Sequence, residues 1–220
     1  MGLGSIVTGA AIDAAAKQTE MNQRLKNRTP DQQKVIKYFY GISGCLSKGL
    51  SDQEYESMVI SKAKSIDFKQ KAIAKIGLDE SQINEVAPIH LEDYLFDDKK
   101  AYALRGKDGI WRSSAYQITW IFFSSTQVYV YQYTFNMDED GKKEGTEEYF
   151  YKDITNFSTS SDTVEKEVFA GKGKYVRTNV DMNRFTIVVP GDKFYCAMKQ
   201  NDYTEKAVQG MKSKLREKKG

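Results

Sequence analysis

The stretch ITWIFFSSTQVYVYQYTF, residues 118–135, decides the fold class because its hydrophobicity alternates with the period of two that β-strands show. If Ser125 and Thr126 form a two-residue turn, this stretch folds into a hairpin in which Ser124 pairs with Gln127. Ser-Thr is not a favoured turn pair, and a longer loop would shift this register. The cross-strand neighbours are then Phe122 with Tyr129, Trp120 with Tyr131, and Ile118 with Tyr133. This pairing predicts an antiparallel sheet with a continuous aromatic wall on one face.

The two faces of this hairpin differ in chemistry, and the aromatic wall is expected to line the interior of a small barrel. Far from the turn, the opposite face is polar and expected to be wet, with Gln117, Thr119, Gln132 and Thr134. Near the turn, the same face carries a compact apolar patch of Ile121, Phe123, Val128 and Val130. A patch of this kind needs a cover. We therefore predict that the N-terminal helices dock across it, or that it forms a partner-binding or homodimer surface.

Further strands are predicted downstream of the hairpin. The run EEYFYKDITNFSTSSD, residues 147–162, indicates two strands that meet at a corner at Lys152 and Asp153, after which Ile154 enters the core. Further strand patterns occupy residues 164–169, 184–189 and 193–198, with turns at 138–143, 171–174 and 190–192. The sequence therefore predicts about seven antiparallel strands.

A terminal helix is predicted to follow the last strand. The residues Asp202-Tyr203-Thr204-Glu205 have the pattern of a capping box, which marks a helix start. The apolar stripe of this helix is expected to comprise Tyr203, Ala207, Met211 and Leu215. Such a stripe could lie across the mouth of a barrel.

The first 95 residues show a helical pattern instead. Capping boxes begin at Thr29 and Ser51, and two more helix starts are predicted at Asp67 and Asp79. Helix ends are indicated by Gly41, Gly44 and Gly77. The first 28 residues are an Ala-rich helix candidate. Because short helices are marginal alone, this region is expected to pack on another surface.

The bulk composition excludes several classes of protein. The net charge is +3, from 33 basic and 30 acidic residues, which does not fit a dedicated nucleic-acid binder. Two distant cysteines, Cys45 and Cys196, fit a reducing compartment, so we expect a cytoplasmic protein. The start of the chain lacks a basic residue before its Gly/Ala-rich run, and Asp13 interrupts that run, which argues against a signal peptide.

The inventory of reactive residues is small. The single histidine, His90, lies in the run PIHLED, and its alternation with Ile89 and Leu91 indicates an ordinary extended segment. The alternative is a hydrolase or transferase that uses His90 with nearby carboxylates such as Glu92. Two cysteines and one histidine do not supply a conventional zinc site, and residues 171–174 lack the spacing of a phosphate-binding loop. We therefore expect no catalytic residue, metal or cofactor.

A resemblance emerges from three of these segments: the hairpin ITWIFFSSTQVYVYQYTF, the corner EEYFYKDI, and the closing run FYCAMKQNDYTEKAVQGMKSKL. Together they resemble the pleckstrin-homology-like fold, in the form found in many uncharacterised bacterial proteins. The resemblance covers residues 100–220 and implies a split antiparallel barrel capped by a C-terminal helix. It does not bring the family's lipid-binding residues with it, because the hairpin loop at residues 123–128 has no basic side chain.

The sequence thus predicts an α+β protein with a helical region at 1–95 and a pleckstrin-homology-like barrel at 100–220. The expected function is a non-enzymatic binding or scaffolding module for an unknown protein partner or for a second copy of the chain. An alternative is a peripheral membrane binder that acts through its basic C-terminal tail. The candidate basic surface comprises Lys172, Lys174, Lys212, Lys214 and Arg216.

Overall fold

The computed structural model describes residues 14–41, 49–83, 87–170 and 174–219. Within them, helices α1 to α5 span Ala14–Arg24, Pro30–Phe39, Asp52–Lys64, Phe68–Ile76 and Asp202–Lys219. Strands β1 to β9 span Ile89–Tyr94, Ala103–Arg105, Trp111–Ser113, Ala115–Phe123, Gln127–Asn136, Lys142–Phe150, Asn156–Phe169, Tyr175–Val189 and Asp192–Ala197. The predictions at Gly44, Cys45 and Lys172, and those for residues 1–13, lie outside the described residues.

The helix starts follow the capping chemistry of the sequence. Thr29 and Ser51 each form a complete capping box, with the side chains of Gln32 and Glu54 bonding back to the cap residues. Asp67 accepts a hydrogen bond from the Gln70 N–H, and α4 ends at Gly77 in the left-handed conformation that glycine tolerates. These predictions are confirmed.

Two predicted helix starts need correction. The start at Asp79 leads only to a single 3₁₀ turn at Glu80–Ile83 within the described residues, so a full fourth helix there is wrong. The cap of α5 is Asn201: its Oδ1 accepts from the Thr204 N–H at 3.0 Å, and its own N–H donates to Thr204 Oγ1 at 3.1 Å. The predicted box at Asp202 is therefore one residue late.

The strands form antiparallel sheets, so the fold is α+β as predicted. A four-stranded sheet has the order β1-β4-β5-β6, a three-stranded sheet has the order β7-β8-β9, and β2 with β3 forms a separate hairpin. The two larger sheets remain distinct and do not close into one barrel. They are joined at one side by a hydrogen bond of 3.1 Å from the Lys199 N–H to the Glu92 carbonyl.

The predicted hairpin register is confirmed for β4 and β5. Phe122 pairs with Tyr129 and Trp120 with Tyr131, and the Ser124 N–H donates to the Gln127 carbonyl at 3.0 Å across the turn. The turn at residues 138–143 and the corner after Phe150 also lie where the sequence predicts them.

The predicted orientation of this hairpin is wrong, because its two faces are exchanged. Ile121, Phe123, Val128 and Val130 are at most 1% exposed. They lie in a core between the two sheets, here called the inter-sheet core, with residues of β7 to β9 and α5. These four residues therefore form no surface patch, and the N-terminal helices do not dock on them.

The helices pack on the opposite face, which carries the aromatic wall. Buried rings of the sheet meet rings of α2, α3 and α4 there and form what we call the aromatic core. Its buried aromatic members are Tyr38, Phe39, Tyr55, Phe68, Tyr94, Phe96, Tyr116, Phe122, Tyr131, Tyr133 and Phe135. The helices therefore do dock on the hairpin, but on its aromatic wall, which was predicted to line the barrel interior.

The polar end of the hairpin is not wet, as the sequence had suggested, but bridges the two sheets. Gln117 is buried, and its Oε1 accepts from the Ala197 N–H at 2.7 Å. Gln132 Nε2 donates to the Tyr195 carbonyl at 2.9 Å. A buried amide such as that of Gln117 is retained in proteins when its hydrogen bonds are satisfied. The two bonds link the sheets beside a cavity of about 310 Å³ that both glutamines line.

Strands β7 and β8 form one long hairpin, whereas the sequence had suggested separate short strands. The ladder runs without interruption from Asn156 opposite Val188 to Phe169 opposite Tyr175. Because odd and even residues point to opposite faces, Phe157 packs in the inter-sheet core while Val168 packs in the aromatic core. One hairpin therefore contributes to both cores.

The helical region and the sheets are joined by this packing. Strand β1 begins at Ile89 and pairs with β4, so the helical region ends before residue 95. The far end of the β7–β8 hairpin also reaches α2, where a Cβ atom placed on Gly41 would overlap the ring of Phe169. Contacts of this kind connect residues from both sides of the predicted boundary at residues 95–100.

Candidate functional site

The strongest candidate site is a groove beside α5, whose position is fixed by three kinds of contact. The Asn201 cap holds the first turn, and Thr204 Oγ1 donates to the Lys199 carbonyl at 2.8 Å. Val208, Met211 and Leu215 bury one side of the helix in the inter-sheet core. The predicted stripe is correct for Met211 and Leu215, but Tyr203 is 53% exposed and does not belong to it.

The groove lies between α5 and the sheet of β7 and β8, and it has a volume of about 650 Å³. We call it the α5 groove. Its lining is mostly polar and comprises Thr159, Ser160, Ser161, Asn183, Met198, Gln200, Glu205, Lys206, Val208, Gln209 and Lys212. Met198 and Val208 are buried and form an apolar floor. An apolar floor with polar walls is typical of a binding groove.

The net positive charge of the groove lining favours a ligand that carries a negative charge. Lys206 and Lys212 outnumber the single acid, Glu205. Among the described residues, neither lysine forms an ion pair. The two ammonium groups are therefore available to a carboxylate of a ligand.

Three successive residues of β7, Thr159, Ser160 and Ser161, line the groove. Successive side chains of a strand point to opposite faces. The groove therefore reaches the backbone of β7 as well as the face on which Ser161 lies beside its cross-strand partner Asn183. Within the described residues, β7 pairs with β8 only, so the backbone groups on its other edge have no strand partner.

The two edge strands β6 and β7 protect their edges differently. Strand β6 has the sequence KKEGTEEYF and is charged along most of its length, a common means of preventing strand addition. The first six residues of β7, NFSTSS, carry no charge and no proline, and their ladder with β8 contains no bulge. Charge, proline and bulges, three of the usual barriers to pairing with another strand, are therefore absent from this segment of β7, while α5 packs beside the strand.

The predicted basic surface is only partly brought together. Lys212 lines the α5 groove, whereas Lys214 pairs with Glu217 at 3.1 Å and Arg216 is exposed one turn further on. Lys174 follows the far end of β7. Because a strand rises about 3.3 Å per residue, Lys174 lies tens of ångströms from the α5 groove along β7. These residues do not form one continuous patch.

The His90 segment is extended, as predicted, and lines a smaller cavity of about 270 Å³ between β1, β4 and the α3–α4 connection. The His90 ring stacks on Trp120 with 4.8 Å between centroids, and its Nε2 lies 3.3 Å from Glu92 Oε2. Burial acts to raise the pKa of Glu92, but the neighbouring His90, Tyr116 and Lys199 side chains outweigh it and lower that pKa. Among the described residues, no serine, threonine or cysteine lines this cavity, although Lys64, Asp67 and Lys69 do.

Other reactive centres find little support in the described part of the chain. No three His, Cys, Asp or Glu side chains converge there to hold a metal ion. Cys196 lies in the inter-sheet core, where burial raises the pKa of its thiol to about 12 and keeps it unreactive at neutral pH. None of the helices described is both long enough and apolar enough to cross a bilayer.

Comparisons with protein-family models, curated proteins and solved structures find no match for this chain. Sequence reasoning identified Lys212 but missed the β7 segment that forms the opposite wall. A signal for it does exist, since residues 156–161 are an uncharged, Ser/Thr-rich strand segment in a chain with 29% charged residues.

Proposed function

We propose that this protein is a non-enzymatic, cytoplasmic binding module of pleckstrin-homology-like architecture that captures an extended segment of a partner protein in the α5 groove. The architectural part rests on the order of elements: four meandering strands, interrupted by the β2–β3 hairpin, then three more strands and a terminal helix. The functional part rests on the groove.

The observation that carries the proposal is the free, uncharged edge of β7 beside the α5 groove. An extended peptide can pair its backbone with such an edge and thereby gain a row of hydrogen bonds. Side chains of the peptide then enter the groove, where Met198 and Val208 offer apolar contact. Lys206 and Lys212 favour a segment that contains at least one acidic residue.

The alternative of a peripheral membrane binder is less well supported. Binding to an anionic bilayer requires basic groups on one surface. Here Lys214 is paired with Glu217, and Lys174 lies at the other end of β7. The basic residues of α5 would have to bind the membrane by themselves. Binding to anionic vesicles is therefore included as an outcome of the experiment below.

The proposal is tested by selecting random peptides that bind the full-length chain and measuring their affinity by fluorescence anisotropy. Proline is then placed singly at Ser160 and Ser161. Because backbone groups alternate in direction along an antiparallel strand, one proline removes an N–H that bonds to β8 and the other removes an outward N–H. The proline variant that removes the outward N–H should leave the melting temperature nearly unchanged. It should weaken peptide binding about tenfold, which is equivalent to one lost hydrogen bond.

Charge reversal supplies the matched control. Lys212→Glu should weaken selected peptides that contain an acidic residue, whereas Lys142→Glu on the exposed edge of β6 should leave their affinity unchanged. Equal effects of both reversals would indicate non-specific electrostatics and would count against the groove. Salt-sensitive binding to anionic vesicles, lost in Lys212→Glu and in Arg216→Glu, would favour the membrane alternative instead.

A further inference from the structure

A second cavity lies at the opposite end of the β7–β8 hairpin, between α1, the end of α2 and the loop that follows β1. Its volume is about 580 Å³, which is in the range of small-molecule sites. The centre of interest is Lys166 of β7, so we call it the Lys166 cavity. It is far from the α5 groove along β7 and shares no lining residue with it.

Lys166 is a half-buried cation without a carboxylate partner. Its Nζ donates to the backbone carbonyls of Asp98 at 2.7 Å and Ala101 at 3.1 Å. An ammonium group has three donors, so one remains. No carboxylate of the described residues forms an ion pair with it. Burial lowers the pKa of Lys166, and Asp98 and Asp97 offset this only in part from a longer distance.

The acidic side chains around the cavity each pair with a cation other than Lys166. Glu20 and Glu167 both contact Lys17. Asp97 pairs with Arg184 at 2.9 Å, Asp98 with Lys143 at 3.1 Å, and Glu165 with Arg177 at 3.8 Å. None of these five carboxylates forms an ion pair with Lys166.

Two exposed lysines at the rim add positive charge. Lys99 and Lys100 line the cavity, and neither takes part in an ion pair with the described residues. With Lys166 inside and these two at the entrance, the cavity offers three cations to an incoming anion. Half-buried charge without a counter-ion is unfavourable, so an anion that enters gains more here than on an open surface.

The wall beside these cations is aromatic. The Arg24 guanidinium lies 4.7 Å from the centre of the Tyr102 ring, and Tyr40 packs edge-on against Tyr102 with 5.4 Å between centroids. Phe39 also stacks on Tyr102 with 5.9 Å between centroids, so the faces of this ring are occupied by Phe39 and Arg24. A planar group attached to the anion would therefore meet the rims of these rings.

We propose that the Lys166 cavity binds a small organic anion, whose carboxylate or phosphate group bonds to Lys166 Nζ and whose planar part lies near Tyr102. The volume is larger than inorganic phosphate needs and is suited to a molecule with a ring. Lys99 and Lys100 attract the anion at the entrance.

The test measures the melting temperature of the full chain with four probes: AMP, ribose 5-phosphate, benzoate and adenosine. AMP and benzoate, which combine an anion with a ring, should raise the melting temperature by a few degrees, since a ligand that binds only the folded state stabilises it. Adenosine lacks the charge and should have no effect. A larger shift with ribose 5-phosphate than with benzoate would assign a phosphate ligand, and the reverse order would assign a carboxylate.

Lys166→Met identifies the site, because methionine keeps most of the side-chain length and loses the charge. The anion-dependent shift should disappear in this variant and persist in Lys142→Met, which changes an exposed lysine elsewhere. If Lys166→Met does not fold, Lys100→Glu at the exposed rim should still weaken the shift several-fold. Shifts that survive both cavity variants, or no shift with any anionic probe, would overturn the proposal and leave the α5 groove untouched.

Discussion

Both faces of the β4–β5 hairpin are buried, but they are buried against different partners and are built from different residues. Half of the buried residues of the aromatic core carry rings, against a quarter in the inter-sheet core. The inter-sheet core is instead dominated by aliphatic side chains such as Ile121, Val128 and Val130, which suit the flat contact of one sheet on another.

The difference follows from what each layer places opposite the hairpin. Tyrosine buries its ring but needs a partner for its hydroxyl, and the contact between the helices and the sheet offers polar groups on both sides. Tyr55 of α3 donates to the Ser113 carbonyl of β3 at 2.6 Å, Tyr38 of α2 to Asp52 of α3 at 2.8 Å, and Tyr94 of β1 to Glu56 of α3 at 2.9 Å. In this molecule the tyrosine-rich face is covered by helices, and the Ile/Val-rich face is covered by the second sheet.

The largest expected effect comes from placing a charge in the inter-sheet core. Val130→Asp buries a carboxylate at a fully enclosed site without a cation, and we expect it to cost at least about 4 kcal/mol and to unfold the protein at room temperature. Circular dichroism with urea titration measures this. The matched control is Ile110→Asp, because Ile110 is 54% exposed and its change should cost less than about 0.5 kcal/mol. A folded, cooperative Val130→Asp variant would show that this face looks outward.

A smaller effect tests the polar side of the aromatic core. Tyr55→Phe keeps the ring in place but leaves the buried Ser113 carbonyl without its donor, so we expect a loss of about 1–3 kcal/mol in the free energy of unfolding. Burial raises the pKa of Tyr55, so the hydroxyl is neutral and able to donate throughout the usual pH range. Tyr195→Phe, on an exposed ring, serves as the control and should be nearly neutral. Equal stabilities for the two variants would contradict the role given to the tyrosine hydroxyls.

An effect of similar size that vanishes at low pH concerns Asp93, a partly buried acid on β1. Burial raises the pKa of Asp93 from its ordinary 3.8 to about 6, despite opposing contributions from the Tyr94 N–H and Lys199. The folded state thus holds this proton more tightly than the unfolded chain, and Asp93 lowers stability as pH rises from about 4 to about 6. Asp93→Asn should therefore match the wild type near pH 4 and exceed it by about 1–3 kcal/mol at pH 7.

Urea titrations of wild type and Asp93→Asn at a series of pH values measure this difference. In the native protein the Tyr94 N–H donates to Asp93 Oδ1 at 2.8 Å, and the asparagine keeps an oxygen that can accept this bond, so the comparison isolates the charge. A stability gap that is constant with pH, or that favours wild type at pH 7, would show that the carboxylate is compensated by its surroundings.

Local features of the fold could be predicted because each depends on a few neighbouring residues. The caps at Thr29, Ser51 and Asp67 and the register across Ser125 and Thr126 need only short-range chemistry. The strands of the β7–β8 hairpin were predicted only in pieces, at the end of the run 147–162 and at 164–169 and 184–189. The stretch from Tyr175 to Asn183 was not predicted, because it is largely polar and alternates too weakly to signal a strand. The α5 groove was missed for another reason: Ser160 and Lys212 approach only after two sheets and a helix have assembled.

The sequence by itself determined which side chains of the hairpin share a face, since strand residues alternate with a period of two. The sequence could not determine which structural layer covers each face. Both faces are apolar enough to be buried, and alternation specifies relative orientation only. Only the tertiary structure decided that the second sheet and α5 cover Ile121 and Val130 while the N-terminal helices cover Phe122 and Tyr131. The physical reason is that the choice depends on contacts distant in sequence, including hydroxyl partners for tyrosines and close packing between sheets, which no local pattern encodes.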